Sequence, residues 1–184
     1  MGSFSDAHET LEIPIIAANL HQVVLPRQCQ VWAVLRHDDT LRRLDYSLAA
    51  TFLGRVAISG DLATLSEAQM ERLRDALAFY RLAAPVIADG RSRLFREIGE
   101  SWRDPIGWQV LRRVSADGQR ILCVAHAFAR PPAEPIRVPL PAGRWRIVAS
   151  FGDVTRAVLE EGTLTLAPPE EFTGNALLLE LEAD

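Results

Sequence analysis

Lysine is absent from this sequence. All twenty basic residues are arginine, set against 24 acidic ones, for a formal net charge of -4 and a pI near 5.6. That balance gives no positive field to draw in nucleic acid or anionic lipid, so neither is an expected partner. The arginine usage itself reads as codon bias in a GC-rich source and carries no functional weight. Cysteine is scarce too: Cys29 and Cys123 stand far apart among apolar neighbours, as buried thiols do in a reducing compartment. No apolar run approaches the roughly 18 residues of a membrane helix, and the first ten residues lack a positive segment followed by an apolar one. The expectation is a cytoplasmic chain without a membrane partner.

The short motifs of several chemistries are also missing. His8, His21, His37 and His126 lie in separate elements, with none of the close spacing of a helical zinc motif, so no metal site is expected. There is no P-loop, no G-x-G-x-x-G and no G-x-S-x-G, which removes nucleotide binding and acyl transfer as leading ideas and leaves no cofactor expected. What remains is an ordinary packed chain of 184 residues, 48% hydrophobic and 24% charged, with mean hydropathy +0.05. A chain of that size buries roughly 70% of its unfolded surface and needs no staples.

The pattern changes near Gly90. Residues 11–25 are apolar nearly throughout and stop at Pro26, predicting a mostly buried helix; residues 29–35 are short, apolar and β-branched, a strand covered on both faces. Asp38, Asp39 and Thr40 offer helix N-caps, and Leu41, Leu44, Leu48 and Phe52 mark a helical stripe up to Gly54. Residues 56–59 form a second short apolar run. Ser66 and Gln69 then make a capping box, with Leu65 and Met70 as a hydrophobic staple, opening a third helix whose apolar stripe keeps its spacing to Pro85, with Gly90 as its C-terminal stop. Alternation of this kind is βα architecture with a parallel sheet. Past Gly90 come short runs punctuated by Pro and Gly: 108–114, a turn at Asp117–Gly118, 120–128, then 136–140, 144–151, 157–160, 163–167 and 176–182. That spacing predicts an antiparallel sandwich.

Three places could carry chemistry. Asp6, in the run Ser5-Asp6-Ala7-His8-Glu9, stands before the first helix, where a loop leaves a βα strand; its plain alternative is a helix N-cap. Asp61 follows the second apolar run and sits at another strand end, or else serves a Gly-Asp turn. Trp32 is either core packing or a sugar-stacking platform. Trp102, Trp108 and Trp145 fall in the β half and read as core. The arginines at 36, 42, 43 and 55 are expected to pair along the helix face with Asp38, Asp39 and Asp45.

The order of several segments resembles the C-terminal part of melibiase-type α-galactosidases, the family 36-like glycoside hydrolases. They are residues 8–14 (HETLEIP), 30–36 (QVWAVLR), 47–55 (SLAATFLGR), 59–62 (SGDL) and 78–80 (AFY). The resemblance implies a retaining glycosidase with a (β/α)8 TIM barrel and a C-terminal antiparallel β-sandwich. Residues 1–90 would then be the barrel's end, about strands 7–8 with their helices, and residues 91–184 the sandwich. It implies that Asp6 is the general acid/base, in a Ser-Asp motif after the sixth strand, with Trp32 and Asp61 as substrate-binding residues for an α-galactoside oligosaccharide. The barrel's earlier strands, and the nucleophilic aspartate with them, have no counterpart here. The chain alone is therefore expected to be inactive, to self-associate through the exposed barrel edge, and to carry a β half that folds on its own. The rival reading is a non-catalytic module whose β-sandwich binds carbohydrate or a protein.

Overall fold

A computed structural model describes residues 2–3, 7–9, 11–99, 103–153, 157–160, 162–167 and 169–182. The elements run β1 (Gly2–Ser3), α1 (Ile13–Leu20), β2 (Cys29–Leu35), α2 (Leu41–Thr51), β3 (Arg55–Gly60) and α3 (Glu67–Asp89). Eight further strands follow: β4 (Arg91–Ile98), β5 (Gly107–Val114), β6 (Arg120–Ala127), β7 (Ile136–Pro139), β8 (Trp145–Phe151), β9 (Ala157–Glu160), β10 (Thr163–Leu166) and β11 (Thr173–Leu181). Three sheets result, in the orders β1-β2-β3, β7-β10-β9 and β4-β5-β6-β11-β8. The first is parallel, and the ladders of the other two are antiparallel.

Local chemistry accounts for the helices. Ser66 and Gln69 close the expected capping box, with the Ser66 amide donating to Gln69 Oε1 at 2.8 Å. The helix passes through Pro85 and ends at Asp89, with Gly90 at the expected C-terminal stop. Proline forfeits one backbone bond, but buried Ala83, Val86 and Ile87 hold that last turn in the core. In the other direction, α1 ends at Leu20, well short of Pro26: His21 caps it, its ring is held by Arg113, and Val23 is 79% exposed. Thr40, not Asp38 or Asp39, caps α2, accepting from the Arg43 amide. The expected helix-face ion pairs are not those observed, since Arg36 meets Glu9, Arg42 meets Glu170, and Asp45 meets Arg72.

One core spans both sides of Gly90. Leu44, Leu48, Phe52, Leu73, Phe79 and Val86 from the helices pack with Leu111, Leu122, Val124, Phe151, Ala176 and Leu178 from one face of the five-stranded sheet. Phe52 stands edge-on to Phe151, with ring centroids 5.2 Å apart. The opposite face of that sheet, through Val110, Ile121, Cys123, Leu177 and Leu179, packs on Ile136, Val138, Leu164 and Leu166 of the three-stranded antiparallel sheet. This double cover explains why residues 121–125 read as an unbroken apolar run. It also explains Gly174, where an added Cβ would lie 2.8 Å from Tyr46 Cα: β11 crosses α2 too closely for any side chain.

Two polar clamps reinforce the seam. Arg113 on β5 is fully buried and donates to Leu53 O at 3.0 Å and, through Nε, to Ser92 Oγ at 2.8 Å; its Nη2 also lies 3.1 Å from His21 Nδ1. Gln109, likewise buried, donates to Pro14 O at 2.8 Å.

Candidate functional site at the carboxyl ends of the parallel strands

Because β1, β2 and β3 run parallel, they end at one edge, and the segments after them meet there. Asp6, the expected acid/base, lies outside the described residues. Two positions later His8 Nε2 approaches Asp39 Oδ1 at 2.7 Å. A carboxylate only accepts, so the proton of this bond sits on Nε2, leaving Nδ1 toward Glu9 at 3.8 Å. Asp39 is 6% exposed in its side chain and uses its other oxygen to accept from the Arg36 amide at 2.8 Å. Glu9 pairs with Arg36 at 2.9 Å; hydrogen bonding by its own backbone, then the Arg36 guanidinium, holds its carboxyl below the usual range. Arg43 donates to the carbonyl of His8.

The loop after β2 is therefore tied down from three sides. Gln69, buried at the start of α3, donates through Nε2 toward Asp39 O at 2.8 Å, His37 O at 3.1 Å and Arg36 O at 3.3 Å. One side chain thus both caps a helix and pins a βα loop. The sequence signal was present in the capping box, but its second job needed the tertiary fold.

Asp61 falls where the strand-end reading put it, directly after β3. Its amide donates to Leu35 O at 2.8 Å, and its carboxylate lies 3.2 Å from His37 Nδ1 in an exposed pair. Gly60 makes that turn: its φ is +104°, and a Cβ there would lie 2.1 Å from Leu35 O. Trp32 is mid-strand, opposite Ala57 and half-buried. It lines a space of only about 10 Å³ with His8, Val34 and Tyr46, water-sized rather than sugar-sized. Among the described residues, then, Asp61 joins His37 while Trp32 joins His8, and the two do not share a pocket. By strand alternation the open face of this sheet carries Gln30, Trp32, Val34, Arg55, Ala57 and Ser59, a mixed surface where an apolar one was expected. Only β2 pairs with β3 among the described residues.

A larger space of about 270 Å³ lies elsewhere, between α2 and the start of β11, lined by Arg42, Asp45, Asp153 and Asn175 among others. Burial, only partly offset by Arg72, pushes the Asp45 carboxyl up to about 6. A carboxyl raised in the folded state favours folding below its unfolded pKa of ~4, and that contribution is lost as pH rises through about 6. Asp45→Asn should therefore gain stability relative to the parent between pH 4.5 and 7.5. Urea midpoints at the two pH values check this, and a constant difference would count against it.

No family model and no curated protein matches the sequence. Solved structures do match in fold. The GH36 α-galactosidase AgaA of Geobacillus stearothermophilus, solved with stachyose, superposes with TM-score 0.67 at 16% identity, over 97% of this chain and 25% of that one. The galactosidase domain of the α-galactosidase-sucrose kinase AgaSK gives 0.65 at 14%, again over 97% and 25%. An α-amylase from H. orenii gives 0.52 at 13%, over 98% of this chain and 53% of that one. The fold is thus that of a C-terminal segment of glycoside hydrolases of the GH36 type. This chain spans about a quarter of the length of the α-galactosidases it matches.

Proposed function

We propose that this chain is the C-terminal part of a retaining, α-galactosidase-like glycoside hydrolase acting on α-galactosides. In this reading β1, β2 and β3 are strands six, seven and eight of a (β/α)8 barrel, and the strands from β4 onward form its β-sandwich. The observation that carries it is the parallel sheet with its polar strand ends, in a chain whose fold recurs as a quarter of much longer glycosidases. Active sites of such barrels lie at that end.

Asp6 is then the general acid/base. Retaining hydrolysis uses two carboxyl groups roughly 5–5.5 Å apart, one attacking the anomeric carbon and one protonating the leaving oxygen. Asp6 does the second, then takes a proton from the water that releases the sugar. Asp61 and Trp32 contribute substrate contacts once the earlier strands complete the sheet, and the outer edge of β3 accepts those strands or, without them, a second copy of the chain. General acid catalysis alone supplies about 10²–10⁴-fold, so the chain by itself should not turn over a chromogenic α-galactoside. Turnover by the purified chain that disappears in Asp6→Asn would overturn the assignment of the nucleophile to a missing segment.

A further inference from the structure

The outer edge of β4 is open, and its backbone can be read group by group. β4 stands at one end of the five-stranded sheet and pairs with β5 alone among the described residues, in an unbroken antiparallel register from Arg91↔Val114 to Ile98↔Gly107. The same register reaches Gly99, whose amide donates to Ile106 O at 3.0 Å. Successive residues of an antiparallel strand turn their N–H and C=O to opposite sides. Glu97, Phe95, Arg93 and Arg91 therefore bond inward to β5, while Ser92, Leu94, Arg96 and Ile98 present theirs to the open edge. The β5 side agrees: the Ser115 amide donates to Arg120 O at 2.9 Å, which assigns the odd-numbered residues of β5 to β6 and leaves the even-numbered ones to β4. At the other end of the sheet, the ladder of β8 is interrupted by a register shift at Leu178–Leu179, a usual guard against pairing between edges.

The charges on β4 are unbalanced within the chain. Arg93 stands directly opposite Arg112, with both guanidiniums over the Phe95 ring at 5.2 and 5.4 Å from its centroid. Like charges so placed repel. Arg112 donates to Pro139 O and has a buried Nε without an acceptor; among the described residues no carboxylate pairs with either arginine. Glu97, on the same face of the strand, is exposed and takes part in no ion pair there either. A second β4 laid antiparallel on this edge must match outward groups to outward groups, so the two-fold axis passes through a residue and never between two. An axis at Arg93 or Arg96 sets an arginine against its own copy. One at Leu94 gives Glu97 to Arg91 and leaves the Arg93–Arg112 pair as it was. An axis at Phe95 sets Arg93 of each chain against Glu97 of the other, with Leu94 opposite Arg96 and Ser92 opposite Ile98, and so brings a carboxylate to both arginine pairs.

We infer that β4 is a self-complementary interface for a second copy of this chain, the two strands antiparallel about Phe95 and the two five-stranded sheets joined into one. The inference is independent of the glycosidase reading and distinct from the open edge of β3. Sedimentation of the full 184-residue chain over a concentration series should show a monomer–dimer equilibrium. Arg93→Glu and Glu97→Arg, both at exposed positions, each create two like-charge pairs across the axis and should weaken dimerisation ~10-fold or more. Mixed in equal amounts, the two variants face two acids with two arginines, and association should return to near the parent's. Amide exchange at Ser92, Leu94, Arg96 and Ile98 should slow with concentration in the parent and in the mixture, but in neither variant alone. A chain that stays monomeric throughout would overturn the inference, as would dimerisation that both variants leave intact, the result expected of pairing through β3. Loss in both variants without recovery on mixing would overturn it too, since a disturbed fold gives loss but not recovery.

Discussion

Residues 91–184 expressed alone should fail to form the compact monomer that their hairpin pattern predicts. The five-stranded sheet would bare Leu111, Leu122, Val124, Phe151, Ala176 and Leu178, all at most 3% exposed in the full chain. Burying each large apolar side chain is worth about 1.5–3 kcal/mol, so the five larger ones together forgo roughly 10 kcal/mol. Domains have only about 5–15 kcal/mol in total. Sedimentation and thermal melts of both lengths read this out: the full chain should melt cooperatively, and the isolated segment should associate or melt without cooperativity. A monomeric segment with a sharp transition would show that the seam is dispensable.

Arg113→Ala should cost about 3–5 kcal/mol, the range for removing one member of a buried polar network. The guanidinium is inside, with no carboxylate among its bonded partners, and burial lowers it to about 10, still protonated at neutral pH. Its bonds to Leu53 O and Ser92 Oγ and its contact with His21 Nδ1 join three segments, and truncation strands the acceptors in the interior. Arg113→Met fills the space and should lose only the hydrogen-bond part, about 1–3 kcal/mol. Denaturant midpoints for the two variants separate these contributions; equal losses would mean that packing contributes nothing at this site, and no loss in Arg113→Met would mean that packing alone explains it. A related expectation concerns acid. Burial holds His21 to about 3 and His126 to about 4, below the unfolded imidazole. Their contribution is complete above ~6.5 and is lost as pH falls through 4 and then 3.

Period and punctuation in the sequence locate most elements. The parallel strands, the capping box at Ser66, the hairpin at Asp117–Gly118 and the break at Gly90 all rest on local chemistry. Arg91–Ile98 is less legible, because an edge strand needs few apolar residues and here Leu94 and Phe95 stand side by side among Arg91, Arg93 and Arg96, with no period of two. Two-residue β1 has no period to detect. The joint core was hidden for a different reason: an unbroken apolar run such as residues 121–125 says that both faces are covered, but not that one cover is α2 and α3. At the strand ends, Asp61 could be placed from its position after an apolar run. Asp39, His8 and Gln69 meet across 30 or more residues of chain, and no local spacing encodes that.

In the proposed function, this chain supplies the proton donor and the last barrel strands of an α-galactosidase-like active site. The most direct measurement replaces the corresponding quarter of the Geobacillus stearothermophilus α-galactosidase with this chain and follows hydrolysis of two α-galactosides, one with a good leaving group and one with a poor one. A folded chimera should cleave both, and its Asp6→Ala variant should lose the poor substrate by ~10²-fold or more while largely sparing the good one. A folded chimera that hydrolyses neither, or one in which Asp6→Ala leaves both rates unchanged, would contradict it.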